Sequence, residues 1–232
     1  MKIEIEDNQV HIWQARIDVS SGYPKDIKDV LSADERERAI SFKLQNDQIH
    51  FIIRHYLLRI ILSKYCDYLA DEITFRYDTH KKPAFNMPEY RKIKFNMSFS
   101  HDLMLVAINK HNDIGIDIEK VHDINDLESV AVNNFSSKEF KYLNSSSEKI
   151  NTFFKIWTRK EAFIKATGKG MYYPLKSFCV SMDKSGNHEN LIIFNHPIKS
   201  KHWRIAEIKA SDGFIASIAV KTNKFQISYF QL

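Results

Sequence analysis

The chain has 232 residues, of which 44% are hydrophobic and 12% aromatic, with only 6 glycines and 5 prolines. This composition predicts one sizeable core or two small ones and excludes a long low-complexity segment. A formal charge of +5 favours polyanionic ligands or an acidic protein partner, but acids and bases are interleaved and no nucleic-acid-binding motif occurs, which disfavours a nucleic-acid module.

The first residues alternate charged and apolar side chains. Residues 1–10 therefore predict a first strand, and they lack the continuous apolar run of a secretory signal. The most apolar stretch, residues 51–62, contains Arg54, His55 and Arg59, which argues against a membrane span. The two cysteines form no CxxC pair, so we expect neither a zinc site nor a disulfide, and a cytoplasmic location.

Capping signals and apolar periodicity predict the helices. Ser32 and Ser136 are each followed three residues later by a glutamate, which is the pattern of a capping box at a helix N-terminus. Apolar residues recur at helical spacing in two longer segments, and Gly168 is typical of a helix C-terminus. The predicted helices span about 32–42, 47 to 66 or 68, 127–133, a segment from 136 or 137, and 149–167.

Short runs rich in β-branched and aromatic residues, separated by turn-prone pairs, predict strands. These runs lie at 73–77, 93–100, 103–108, 113–119, 178–182, 191–194, 203–208, 214–221 and 225–229. Each half of the chain thus has helices followed by a small antiparallel sheet, which predicts an α+β fold. From this order alone we expect two similar lobes, 1–112 and 113–232, related by a pseudo-twofold axis.

The strand at 113–119 places two carboxylates on one face. Because side chains alternate along a strand, Asp117 and Glu119 share the face of Gly115, while the isoleucines point to the other. Hard oxygen ligands suit magnesium, and the bare glycine would let a phosphate or metal approach the backbone. The alternative is a half-buried strand with a solvated acidic face.

The helix predicted at 149–167 carries a lysine within its apolar stripe. Lys160 lies among core-facing residues, so we expect its charge to be paired in a polar site inside the fold. Glu161 lies at the edge of the stripe, and Lys165 follows it by one turn. A lone pair of this kind is most often a surface ion pair.

Asp117, Glu119 and Glu161 are sufficient for one magnesium ion, which takes few protein carboxylates and completes its shell with water and phosphate oxygens. Nearby lysines would neutralise phosphate charge, and a carboxylate would accept the proton of an attacking hydroxyl. The set predicts phosphoryl transfer, by a transferase, another magnesium-dependent phosphotransferase or a nuclease.

Two segments, 115–120 and 157–165, resemble the strongest motifs of the phosphopantetheinyl transferases, specifically the long type associated with surfactin synthetase. The resemblance covers most of the chain and includes 31–38, 82–83, 95–98 and 167–170. It implies an enzyme that transfers the 4′-phosphopantetheine arm of coenzyme A to a serine of an apo carrier protein and releases adenosine 3′,5′-bisphosphate.

The resemblance also implies roles for individual residues. Asp117, Glu119 and Glu161 would bind magnesium, with Glu161 as proton acceptor and Lys165 as its catalytic partner. Residues 1–112 would mainly contact the nucleotide and its phosphates, and residues 113–232 would carry the metal and catalytic groups. The implied phosphate ligands are Arg38 and Lys82 for the nucleotide, and Ser98, Lys160 and Lys165 nearer the reaction.

Two positions depart from the family pattern. Phe99 stands where a histidine commonly follows the serine, which suggests His101 as a substitute phosphate ligand, and Lys81 stands where a glycine is usual. Arg38 is alternatively a solvated helix residue, Lys82 a turn residue and Ser98 a strand serine.

The sequence leaves open whether the carrier is of the fatty-acid, peptide or polyketide type. It also leaves open the alternative that the chain is an inactive relative that binds carrier proteins. We expect the protein to be a monomer, because two lobes in one chain would form the active cleft internally. We also expect it to bind neither nucleic acid nor membrane.

Overall fold

The computed structural model describes residues 2–17, 27–170, 173–180, 189–193 and 202–232, so the ends of two predicted strands, 181–182 and 194, lie outside the described residues. The helices are Ile27–Val30 (α1), Ala33–Ile40 (α2), Gln45–Ser63 (α3), Leu127–Asn134 (α4), Ser137–Ser145 (α5) and Lys149–Thr167 (α6). The strands are Gln9–Arg16 (β1), Phe75–Tyr77 (β2), Pro83–Phe85 (β3), Ile93–Ser100 (β4), Leu103–Lys110 (β5), Ile114–Lys120 (β6), Phe178–Val180 (β7), Glu189–Ile193 (β8), Arg204–Ile208 (β9), Phe214–Val220 (β10) and Gln226–Gln231 (β11).

The helix boundaries follow the capping signals. Ser32 and Ser136 both form capping boxes, in which the backbone N–H of Ser136 donates to Glu139 Oε2 at 2.7 Å. α6 has the predicted limits, and Gly168 ends it with a φ of 69°, in the left-handed region that favours glycine. Local chemistry therefore sets where these helices begin and end.

The strands form a four-stranded sheet in the order β11-β1-β5-β4, a five-stranded sheet in the order β6-β10-β9-β8-β7, and the hairpin β2-β3. The predicted α+β class is confirmed. The first strand begins at Gln9, so the strand predicted at 1–10 is displaced along the chain. β11 also pairs in parallel with β1, where Phe230 stacks on Trp13 with ring centroids 4.9 Å apart. The first sheet is therefore mixed and includes a strand from beyond residue 112.

Apolar contacts arrange these elements in four layers. α3 covers one face of the four-stranded sheet, and the other face packs on the five-stranded sheet. α4, α5 and α6 cover the outer face of the five-stranded sheet. α3 and α6 each have 19 residues, so each sheet has one long covering helix. The pseudo-twofold relation between the lobes stays a prediction.

The edge strands β4 and β6 lie side by side and are joined by side chains. Asn96 Oδ1 accepts a hydrogen bond from the N–H of Ile116 at 2.9 Å, and Ser100 Oγ accepts one from the N–H of Lys120 at 3.0 Å. These bonds satisfy N–H groups that β6 presents at its free edge. The seam between the sheets thereby becomes polar.

Among the described helices, none has the length and apolar character needed to cross a bilayer.

Candidate active site

One cluster of polar side chains joins β4, β6 and α6. Lys165 Nζ lies 2.6 Å from Asp117 Oδ1 and donates to Ser98 Oγ at 2.8 Å, and Ser98 Oγ donates to Asp117 Oδ1 at 3.0 Å. The side chain of Asp117 is 4% exposed and that of Lys165 is 30% exposed. The ammonium therefore reaches solvent while the carboxylate lies beneath it.

Two further carboxyls add negative charge to this cluster. Ser100 Oγ donates to Glu119 Oε2 at 3.1 Å, and Glu161 lies on α6 one turn before Lys165. Burial raises the pKa of Asp117, Glu119 and Glu161, and the charge of Asp117 raises the pKa of the two glutamates further. The three carboxyls thus share one electrostatic environment, in which the positive charge of Lys165 lowers the pKa of each.

The cluster fits a magnesium ion whose shell is completed by substrate. Asp117 Oδ2 is buried without a hydrogen-bond partner among the described residues, so it is an open acceptor. Within the same residues, no three His, Cys, Asp or Glu side chains form a ready-made cage for an ion. Magnesium does not need one, because it is commonly held by one or two carboxylates together with water and phosphate oxygens.

Gly115 serves the packing of α6. A Cβ at this position would lie 2.1 Å from Ala162 O and 2.3 Å from Ala166 N, so glycine lets the helix backbone lie directly on β6. The expectation that a phosphate or metal approaches this backbone is wrong, because the helix fills the space. This contact sets the distance from Glu161 and Lys165 to Asp117.

We expect Gly115→Ala to lower the free energy of unfolding by about 1–3 kcal/mol and kcat/KM by about a hundredfold, because α6 must move off the strand. Urea denaturation and initial transfer rates measure the two effects. Gly213→Ala is the control for the loss of a glycine without a clash: its φ of 80° should cost about 1–2 kcal/mol of stability, but a Cβ there meets nothing within 4 Å, so kcat/KM should not change. Unchanged activity of Gly115→Ala would contradict the role of this contact.

Lys160 is paired inside the core, as its place in the apolar stripe predicted. Its ammonium donates to the two carboxylate oxygens of Glu139 at 2.9 and 2.8 Å and to Phe178 O at 2.9 Å, and the side chain is 0% exposed. The predicted contact with a coenzyme A phosphate is wrong, because the ammonium is already bonded within the core. The sequence marked Glu139 only as a capping residue, and its second role needed the packing of α5 on α6.

We expect Lys160→Met to destabilise the protein by about 3–5 kcal/mol, because it leaves the Glu139 carboxylate buried without a counter-charge. The double variant Lys160→Met/Glu139→Gln should recover part of this loss. Chemical denaturation measures both, and KM for coenzyme A should change little in the folded single variant. A normal stability with a KM raised more than about tenfold would restore the phosphate contact.

Lys82 holds the end of α6. Its ammonium donates to Lys165 O at 2.6 Å and to Ile114 O at 3.0 Å, and burial lowers its pKa to about 8. In this structure the ammonium is directed at carbonyls of α6 and β6, and its predicted contact with a nucleotide phosphate stays a prediction. Lys81 has a φ of 64°, which accounts for the glycine that is usual there.

Arg38 and His101 lie outside the cluster. Arg38 is exposed on α2, with its guanidinium 5.4 Å from the centre of the Phe51 ring. His101 is exposed in the turn after β4, with a φ of 52°. Among the described residues, neither side chain is hydrogen-bonded to Ser98 or Asp117. Their phosphate contacts stay predictions.

Ser100 was missed at the sequence level. It lies two residues after Ser98 and therefore on the same face of β4, which was the available signal. A cavity of about 230 Å³ adjoins the cluster and is lined by His80, Lys81, Lys82, Pro83, Asn96, Met97, Lys165, Gly168 and Gly170.

Two families match separate parts of the chain. Residues 113–219 match the family described as “4′-phosphopantetheinyl transferase superfamily”, and residues 23–111 match “4′-phosphopantetheinyl transferase, N-terminal”.

Similar proteins carry related names. The 4′-phosphopantetheinyl transferase HetI of Nostoc sp. is 31% identical over 219 residues, which cover 92% of this chain and 88% of that protein. The 4′-phosphopantetheinyl transferase Sfp of Bacillus subtilis is 32% identical over 158 residues, covering 67% and 68%. The crystal structure of Thermotoga maritima holo-acyl-carrier-protein synthase aligns with 48% of this chain and 64% of its own, at a TM-score of 0.39 and 17% identity.

Proposed function

The chain belongs to the 4′-phosphopantetheinyl transferase superfamily, and on this basis we propose that Ser98, Asp117, Glu119, Glu161 and Lys165 form its active site. The enzyme is a 4′-phosphopantetheinyl transferase that modifies carrier proteins. Coenzyme A is the proposed donor and magnesium the proposed ion. The observation that carries the site is the Lys165–Asp117–Ser98 contact with Asp117 Oδ2 left open.

Asp117, Glu119 and Glu161 are the proposed magnesium ligands. Burial, followed by the charge of Asp117, raises the pKa of both glutamates, so their ionised forms are unfavourable here unless a cation binds beside them. When bound, magnesium supplies positive charge that neutralises phosphate oxygens of the donor.

The chain's own groups position the donor and move one proton. The serine oxygen of the carrier forms a bond to the β-phosphorus of coenzyme A, and the bond from that phosphorus to the bridging oxygen breaks. Adenosine 3′,5′-bisphosphate leaves with the electron pair of that bond. Glu161 is the proposed acceptor of the hydroxyl proton.

Lys165 stabilises charge on the phosphate that is attacked. Its side chain is 30% exposed, which allows contact with a ligand, and the ammonium donates to Ser98 Oγ at 2.8 Å. Ser98 comes from residues 1–112 and the other groups come from residues 113–232, so a monomer would contain the complete site. The cysteines Cys66 and Cys179 are both free and buried, which suits the proposed cytoplasmic location.

Intact-mass measurement tests this function directly. The protein is incubated with coenzyme A, magnesium and apo carriers of the fatty-acid, peptide and polyketide types. We expect one phosphopantetheine group to be added to at least one carrier, with loss of the reaction when the ion is chelated. No modification of any carrier, beside a working reference transferase, would sink the proposal and favour the inactive carrier-binding alternative.

A further inference from the structure

Arg54 of α3 uses an exposed aromatic ring as a platform. Its Cζ lies 3.4 Å from the centre of the Phe99 ring, a distance at which a guanidinium stacks on the aromatic face. Phe99 is 44% exposed, whereas Phe95 on the same face of β4 is 3% exposed. The Phe99 ring thus packs against the guanidinium of Arg54, whereas the Phe95 ring is buried in the core.

The guanidinium of Arg54 has hydrogen-bond donors to spare. Over the described ranges, no carboxylate lies within 4 Å of it and no hydrogen bond uses its N–H groups, whereas Arg59 is paired with Glu35. Burial lowers the pKa of Arg54 to about 10, and the charge of Asp47 opposes this shift. A half-buried guanidinium without an anionic or hydrogen-bonding partner is unfavourable unless an anion binds to it.

The position of this pair relates it to the proposed active site. Asn96 and Met97, on opposite faces of β4, line the same cavity as Lys165, so the cavity extends around the edge of this strand. Phe99 follows Met97 by two residues on the same face, at a separation of roughly 7 Å. Arg54 and Phe99 do not line this cavity, so a polyanion that contacts both Lys165 and Arg54 would extend from the cavity along β4, past Met97 to Phe99.

We propose that Arg54, held against Phe99, binds a phosphate group of coenzyme A. The inference deepens the proposed function and rests on coenzyme A being the donor. In the stack, the edge of the planar guanidinium presents paired N–H groups that match phosphate oxygens. Phe99 cannot itself donate to a phosphate, so its part is to orient the cation supplied by α3. The 3′-phosphate and the pyrophosphate share the required chemistry.

Calorimetric titration without a carrier separates binding from transfer. Arg54→Gln is expected to raise the Kd for coenzyme A about tenfold or more, because one charge-assisted contact is lost. Arg54→Lys should lie between this variant and the wild type, and Phe99→Leu should raise Kd about threefold through loss of the stack. Arg91→Gln, an exposed arginine with the same charge change, should alter Kd less than about twofold.

Titration of 3′-dephospho-coenzyme A identifies the phosphate. An Arg54→Gln effect that disappears with this ligand assigns the 3′-phosphate, and one that persists assigns the pyrophosphate. Arg54→Lys keeps the test valid if Arg54→Gln fails to fold. An unchanged Kd in a folded Arg54 variant, or an equal rise in Arg91→Gln, would overturn the proposal while leaving the proposed function standing. Absence of wild-type binding would overturn both.

Discussion

Asp117→Asn is expected to reduce kcat/KM for transfer at least about a hundredfold and to leave the fold intact. The substitution keeps the size of the side chain but removes the negative charge beside Lys165 Nζ and the proposed ion. Lys165 is 30% exposed, so solvent can stabilise its ammonium once the carboxylate is gone. Intact-mass rate measurements and circular dichroism check the two parts of this expectation.

Asp67→Asn is the matched control for this variant. Asp67 Oδ2 also lies 2.6 Å from a lysine, Lys2, but its side chain is 70% exposed and it belongs to none of β4, β6 and α6, which carry the cluster. Its replacement should leave transfer unchanged. Glu161→Gln should match Asp117→Asn in loss of activity, and full activity in both variants would remove the metal and base assignments.

Glu35→Gln is expected to lower the free energy of unfolding at neutral pH by about 3–5 kcal/mol. Glu35 Oε2 accepts from Arg59 Nε at 2.7 Å, and Glu35 Oε1 lies 2.8 Å from His55 Nδ1. The side chains of Glu35 and Arg59 are 1% and 0% exposed. An amide at position 35 leaves the Arg59 guanidinium in the core without a counter-charge. Urea denaturation measures the loss.

The same interaction gives stability a defined pH dependence. Burial would raise the pKa of Glu35, but the hydrogen bond with His55 and the charge of Arg59 outweigh it and hold the pKa at about 2, below the ordinary 4.5. Because the folded-state pKa is depressed, the contribution is complete above about pH 5 and is lost as pH falls towards 2. The shift corresponds to roughly 3 kcal/mol.

Glu37→Gln on the same helix is the control, since Glu37 is exposed and undergoes the same chemical change. The stability difference between wild type and Glu35→Gln should shrink between pH 5 and pH 3, whereas Glu37→Gln should track the wild type. A difference that stays constant with pH, or a loss below about 1 kcal/mol, would contradict the pairing.

The local elements were accessible from sequence because their determinants are close along the chain. The capping boxes at Ser32 and Ser136 and the stop at Gly168 depend on residues within one or two turns. The alternation in β6 separated Ile116, which packs between the sheets, from Asp117, which contacts Lys165. The carboxylate strand and the helix that supplies Glu161 were therefore identified before the fold was known.

Partners of the long cationic side chains were not accessible in this way. Lys160 bonds to Glu139, 21 residues away, and Lys82 bonds to the carbonyl of Lys165, 83 residues away. A flexible lysine takes the acceptor that packing brings near it, and spacing on its own segment does not identify that acceptor. The contact between Arg54 and Phe99 was not predictable for the same reason, because it depends on how α3 packs against the sheet.

Sequence patterns thus identified the two elements that carry Asp117, Glu119, Glu161 and Lys165, because strand and helix periodicity are local properties. The packing of distant segments determined that Ser98 contacts Lys165 and Asp117, and that Lys160 contacts Glu139 in the core instead of this cluster. It also placed β11 beside β1, which local alternation could not reveal because pairing depends on contacts between opposite ends of the chain. Residue type and periodicity set which groups face inward, and only the packed layers set which of them meet.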